Sequence, residues 1–227
     1  MKIVVLAAAR NEEARIDRFC RCYAWADKII IADCGCEDLT VARGMCYENV
    51  AMPVCNLRVH LPGSQGWFSP PGEVLAALLG WARDEDADWI VSEDIDCVPN
   101  FSLRVDARIV ISNLEQPVLL VPRLTLWGDS LWFPDVSRQR SLWAWRANWP
   151  VEPYDGNEHQ LCFGNVPAPK DCARIDPPYC LLHYGWGPET VAQKLRFYRR
   201  LAGTQPLLAH PLKTCGRLVA LPDWAHI

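Results

Sequence analysis

The decapeptide Ala87-Asp88-Trp89-Ile90-Val91-Ser92-Glu93-Asp94-Ile95-Asp96 is the stretch from which the rest of the chain can be read. Its apolar triplet Trp89-Ile90-Val91 has the character of a strand buried on both faces, and it runs without a break into a pair of aspartates. Upstream of it, residues 73–82 are apolar and helical, behind a loop at 62–72 rich in Gly, Ser and Pro. Residues 54–59 alternate like a strand. Residues 28–32 are a second continuous apolar run that ends at Asp33, and Cys34-Gly35-Cys36-Glu37-Asp38 then turns the chain into a short helix. Residues 3–7 are the first such run. Asn11 follows as the expected N-cap of a helix, with Glu12 and Glu13 in the first turn, where the helix dipole favours acids. Ile16, Phe19, Cys20 and Tyr23 then recur at i, i+3, i+4 and i+7 as one apolar face. The first hundred residues are therefore β-α-β-α-β-α-β, which predicts a parallel sheet with right-handed crossovers.

The second half is less regular. Residues 103–114 read as a helix and 118–121 as a strand. Residues 125–149 carry Trp127, Trp132, Trp143, Trp145 and Trp149 among short extended pieces. Residues 150–178 are dominated by loop composition, and 179–183 read as a short strand. Pro188 opens a last helix in the first-turn position that proline tolerates best. Val191, Leu195, Tyr198 and Leu201 give that helix its buried stripe, and Gly203 ends it. No repeat, low-complexity tract or linker divides the 227 residues. The expectation is one α/β domain over 1–227, a mostly parallel sheet flanked by helices with an irregular second half.

Composition narrows the classes further. Half of the residues are hydrophobic and 22% are charged, which excludes a disordered, collagenous or coiled-coil chain. A net charge of −4 gives no global positive field for nucleic acid or an acidic membrane. The eleven cysteines are odd in number, so at least one is free within the chain. The apolar run before Arg10 is too short for a signal peptide, and nothing approaches the roughly 18 to 20 apolar residues of a membrane span. These features predict a reducing, cytoplasmic setting with no transmembrane segment. Cys20/Cys22 and Cys34/Cys36 are C-x-C pairs without a C-x2-C partner, and they read as small buried hydrophobes rather than zinc ligands.

Open parallel sheets bind ligands at the carboxyl ends of their strands. Polar signals fall at three such ends: Arg10-Asn11-Glu12, Asp33, and Asp94-Ile95-Asp96. In an extended segment, Asp94 and Asp96 would project to one side with Ile95 turned inward. Two carboxylates held this close call for a compensating cation, and a hard divalent ion such as Mg2+ or Mn2+ shared with a substrate diphosphate would supply it. The competing reading of such a triplet is a set of caps and turn residues.

These motifs resemble the inverting family-2 glycosyltransferases of GT-A fold. Val4-Val5-Leu6-Ala7-Ala8-Ala9-Arg10-Asn11-Glu12-Glu13 is similar to that family's opening strand and Asn-Glu-Glu signature. The stretch from Ala26 to Thr40 is similar to its second-strand motif, and the decapeptide above to the strand that ends in its metal-binding D-x-D. The resemblance covers nearly the first hundred residues and makes 1–100 the nucleotide-sugar-binding half and 101–227 the acceptor-side half. It places Ala8 and Glu12 near the ribose or base, Asp33 on the base edge (commonly uracil), Asp94 near ribose and metal, and Asp96 on the metal that bridges the diphosphate. Leu181-Leu182-His183-Tyr184 looks like a segment near the end of the catalytic domain in one bacterial branch, which makes His183 a candidate third metal ligand. Lys194 is a candidate diphosphate contact. An ordinary hydrogen-bonded histidine and a solvated helix face explain these last two residues equally well. Where the family often carries Arg-Asn, this chain has Pro71-Gly72-Glu73, so the phosphate-side cation either comes from elsewhere, with Arg10, Arg138 and Arg140 as candidates, or is absent. Inversion needs a general base. Asn157-Glu158-His159 is the nearest match to the branch's His-Glu pair in reversed order, which makes Glu158 the candidate and Asp155 the second choice.

The leading expectation is a metal-dependent transferase, using Mn2+ or Mg2+, that moves a sugar from a nucleoside-diphosphate donor, commonly a UDP-sugar, to an acceptor hydroxyl. A nucleotidyltransferase acting on a sugar phosphate would want glycines directly after the first strand, where Ala7-Ala8-Ala9-Arg10 has none. A non-catalytic nucleotide-sugar-binding module is the third class. A saccharide is the expected acceptor. A hydroxylated DNA base is the minority alternative, because Arg123, Arg138, Arg140 and Arg146 interleave with Trp127, Trp132, Trp143 and Trp145.

Overall fold

A computed structural model describes residues 1–55, 57, 59–60, 67–68, 71–128, 131–132, 140–150, 171–186 and 219–225. The apolar runs of the first half form strands as their composition dictates. Strand β1 (Ile3–Ala9) leads to helix α1 (Ile16–Cys22), β2 (Lys28–Asp33), helix α2 (Thr40–Gly44) and β3 (Val50–Ala51). A separate hairpin of β4 (Val59–His60) and β5 (Trp67–Phe68) precedes α3 (Pro71–Asp84) and β6 (Trp89–Ser92). There follow β7 (Cys97–Pro99), α4 (Phe101–Ser112), β8 (Val118–Trp127), β9 (Leu131–Trp132), β10 (Arg140–Arg146), β11 (Ala173–Arg174), β12 (Leu181–Trp186) and β13 (Val219–Ala220).

All but the β4–β5 hairpin join one 11-stranded sheet, whose main path runs β13-β9-β8-β10-β6-β1-β2-β3. Around β1 the pairing is parallel, with β2 on one side and β6 on the other. Beyond β6 it turns antiparallel through β10 to β8. Alternate residues of the central strands enter two separate cores, which is why their sequences are apolar without alternation. Val5, Ile29, Ile31 and Val91 pack with Phe19 of α1 and with Leu103, Ala107 and Ile111 of α4. Val4, Leu6, Ile30 and Ile90 pack with Val74, Leu78, Leu79 and Ala82 of α3. No described helix is long and apolar enough to cross a membrane.

Four local expectations are corrected. Asn11 is not the N-cap of α1: it has φ 58°, and its Oδ1 accepts a hydrogen bond from the Glu37 N–H at 2.8 Å, while the helix starts behind Arg15. The third strand begins earlier than residues 54–59, because Val50 and Met52 are the inward-facing residues and Val54 is exposed. Its ladder with β2 covers Val50–Ala51 and resumes only as a bridge from Asp33 to Val54, across Pro53, which has no N–H to give. Helix α4 starts two residues sooner than expected because buried Asn100 caps it, its side chain accepting the Leu103 N–H at 3.2 Å. Strand β8 continues past residue 121, through Pro122 to Trp127. Proline is tolerated there because the ladder changes partner: Pro122 is the last residue opposite β10, and Arg123 is the first opposite β12. The predicted last helix at 188–203 lies outside the described residues.

Candidate active site

In the parallel ladder Ala9 stands opposite Asp33 and Leu6 opposite Ser92, so the polar ends of β1, β2 and β6 share one edge of the sheet. Ala8 is the single exposed residue of β1, a small floor beside that edge. Asp33 is fixed in place by its own turn: its Oδ1 accepts from the Gly35 N–H at 3.0 Å and the Cys36 N–H at 2.8 Å. Gly35 can take φ 89° there because it has no Cβ. The Asp33 carboxylate, an acceptor at both oxygens, suits an N–H or hydroxyl donor on a ligand. Arg10 is exposed where β1 ends. Glu12 is a structural joint: its N–H donates to Thr40 Oγ1 at 2.7 Å, and its carboxylate holds Arg15 at 2.7 Å.

The aspartate pair is not extended. The Cys97 N–H donates to the Asp94 carbonyl at 2.9 Å, closing a turn over residues 94–97. Ile95 is buried as expected, but the two carboxylates meet different partners. Asp94 Oδ2 lies 3.8 Å from Nη2 of Arg123 on β8, and Asp96 Oδ1 lies 3.5 Å from Nε2 of His183 on β12. The backbone welds the turn to β12, with the Tyr184 N–H donating to the Asp96 carbonyl at 2.7 Å and His183 opposite Cys97 in the β7–β12 ladder. His183 is also opposite Thr125 on β8, two residues from Arg123, so all three project from one face of the sheet.

Glu93, one residue before the turn, is 7% exposed, and burial pushes its carboxyl up to about 7 against the pull of the Arg123 guanidinium. Arg123 thus stands between a buried acid and the first aspartate of the pair. Sequence reasoning placed it only in the nucleic-acid constellation, because Pro122 ended the strand that carries it.

Asp96 and His183 form a donor pair that fits a divalent cation. Their ligand atoms are 3.5 Å apart, near the roughly 3 Å separation of neighbouring ligands at bonds of about 2.1 Å. Among the described residues no group of three His, Cys, Asp or Glu closes around one point. A cation shared with substrate phosphates is usually held by only one or two protein ligands. The candidates Glu158, Asp155, Lys194 and Arg138 lie outside the described residues. Arg140 donates to the Ile175 carbonyl and to Asp176.

Of the interleaved arginines and tryptophans, two tryptophans have no face open for stacking on a base. Trp143 and Trp145 are fully buried, and a bulge between Leu142 and Ala144 sends them into opposite cores. Arg146 donates to the Leu114 carbonyl and stacks on Trp89.

No family model and no curated protein matches the chain. Solved structures do. TarS of S. aureus superimposes over 94% of this chain at 16% identity and TM-score 0.56, and the chain spans 41% of that protein. The TarS fragment 1–349 gives 17% identity and TM-score 0.55 over 94% of this chain and 68% of the fragment. The same fragment bound to UDP gives 15% identity and TM-score 0.53. At these identities the likeness is one of fold: a curled sheet, parallel around β1 and flanked by helices, of GT-A type.

Proposed function

We propose that the protein is a nucleotide-sugar-dependent glycosyltransferase that takes a UDP-sugar and transfers the sugar with inversion to a hydroxyl, the acceptor being a saccharide. The observation that carries this reading is the meeting of Asp33, the 94–97 turn, Arg123 and His183 along one edge of a fold shared with a UDP-bound protein. Asp33 accepts the N–H of the base, and the uncrowded surface at Ala8 admits base and ribose. Asp94 accepts a ribose hydroxyl. Asp96 and His183 would hold Mn2+ or Mg2+ through one carboxylate oxygen and one imidazole nitrogen. When bound, the cation neutralises charge on the diphosphate.

Arg123 is the phosphate-side cation, standing in for the Arg that the Pro71-Gly72-Glu73 segment does not supply. In the free protein it pairs with Asp94, and with donor bound it turns a guanidinium edge to the diphosphate. The acceptor oxygen attacks the anomeric carbon as the bond to the diphosphate oxygen breaks. The hydroxyl proton passes to a carboxylate, for which Glu158 and then Asp155 are the candidates, and UDP leaves with the electron pair of the broken bond.

The deciding experiment measures thermal stabilisation and donor hydrolysis across a panel of nucleotide sugars, with and without Mn2+, on wild type and Asp96→Ala. The expected result is a response to uridine donors that needs Mn2+ and disappears in the variant. Turnover of a nucleoside triphosphate with a sugar phosphate, without donor hydrolysis, would replace the reading with nucleotidyl transfer. Tight donor binding with no turnover toward any acceptor would mark a binding module.

A further inference from the structure

Helix α4 presents an apolar line to solvent. It buries Leu103, Ala107 and Ile111, while Phe101, Val105 and Ile109, at i, i+4 and i+8, are 55%, 60% and 62% exposed. Other large apolar side chains with comparable exposure, such as Leu39, Met45 and Val54, come from separate segments of the chain. One flank of the line is basic. Arg104 stacks over the Phe101 ring at 5.5 Å, and Arg108 follows one turn later. Arg104 also reaches Cys22 at the end of α1, a helix that brings Arg18 and Arg21 into the same field. The acids nearby are engaged: Asp27 with Arg108 at 2.9 Å, Asp17 with Arg43 at 3.3 Å and Tyr47 at 3.2 Å, and Asp106 with the Tyr179 hydroxyl at 3.0 Å.

We propose that this face of α4 rests on an anionic lipid surface, with Phe101, Val105 and Ile109 entering the boundary between headgroups and acyl chains and Arg104 and Arg21 meeting lipid phosphates. Charge complementarity and size select this occupant. A stable protein interface needs about 800 Å2 from each partner, and three half-exposed side chains on a convex helix offer a fraction of that. A bilayer needs no matching concavity, because affinity there grows with apolar area and with each cation near the surface. Arginine stems lie along the apolar line while their heads stay at the phosphates. The chain's net charge of −4 opposes such contact elsewhere, so binding through α4 is orientated, weak and salt-sensitive. The inference does not depend on the transferase reading.

The test is co-sedimentation of the full chain with phosphatidylcholine vesicles, with and without phosphatidylglycerol, at low and high salt. Wild type is expected to pellet with the anionic vesicles at low salt and to be released by high salt. A variant combining Phe101→Gln, Val105→Gln and Ile109→Gln should lose more than about tenfold in partitioning. Arg21→Gln with Arg104→Gln should lose roughly thirtyfold. All five positions lie at least partly in solvent, and unchanged melting curves establish that the variants fold. Wild type that stays in the supernatant, or a triple variant that binds as well as wild type, overturns the proposal. So does light scattering that finds a wild-type dimer which the triple variant dissociates, because the face then belongs to a second copy.

Discussion

Arg123 and Glu93 carry the residue-scale consequences. Hydrogen bonds to charged groups contribute about 1.5–3 kcal/mol, so Arg123→Ala should weaken UDP binding by roughly 10- to 100-fold, with Arg123→Lys recovering part of the loss. Titration calorimetry reads this directly, and unchanged affinity in both variants would remove Arg123 from the donor site. Glu93 bears on stability. Its folded carboxyl titrates at about 7, above the ordinary 4.5, so between those values the folded state holds a proton that the unfolded chain has lost. Stability therefore falls as pH rises from 4.5 to 7 and is level on either side, an effect of roughly 3 kcal/mol. Glu93→Gln lacks this dependence. Denaturant unfolding at pH 5 and pH 8 in a chelator should show the variant gaining on wild type at the higher pH, and an equal difference at both would mean an ordinary Glu93. Asp33, Asp94 and Asp96 were legible because each follows an apolar run. Arg123 was not, because a proline in sequence reads as the end of a strand unless the change of partner strand is known.

At the element scale, Asn100 joins α4 to the segment entering β12. Besides capping the helix, its Nδ2 donates to the Pro178 carbonyl at 2.8 Å, its Oδ1 accepts the Cys180 N–H at 3.2 Å, and its backbone N–H donates to the Cys180 carbonyl at 3.0 Å. Asn100→Ala removes the cap and leaves buried polar groups unpaired, a loss of about 2–4 kcal/mol. At roughly 2–4 °C per kcal/mol for a chain of this size, melting should fall by about 5–15 °C. Calorimetry checks this, and a shift below about 2 °C would mean the junction relaxes. Boundaries were the weakest part of the sequence reading for related reasons. The buried pair Val50 and Met52 outweighed a cleaner alternation at 54–59, and a polar side chain 0% exposed at Asn100 moved a helix start that apolar periodicity put at 103.

At the scale of the whole molecule, the first half was legible because each βαβ unit is written contiguously. The second half was not, because β10, β11, β12 and β13 return from distant segments to neighbours that no local pattern names. The thiols follow the same logic of burial. None of the nine described cysteines forms a disulfide, Cys46 is the exposed one among them, and burial pushes Cys20 and Cys180 up to about 12 and Cys36 to about 11. Thiol labelling of the native protein at pH 8 should lose a fast phase in Cys46→Ser, and a fast phase that persists unchanged would show reactive sulfur elsewhere. The weld between the aspartate turn and β12 has a consequence for how the molecule is made. His183 leaves the ribosome 87 positions after Asp96. At about 5–20 residues per second, a nascent chain therefore holds both aspartates for roughly 4–17 s before their strand partner is synthesised. The parallel sheet around β1 can assemble during that interval, and the Asp96–His183 pairing arrives only when β12 closes on the turn.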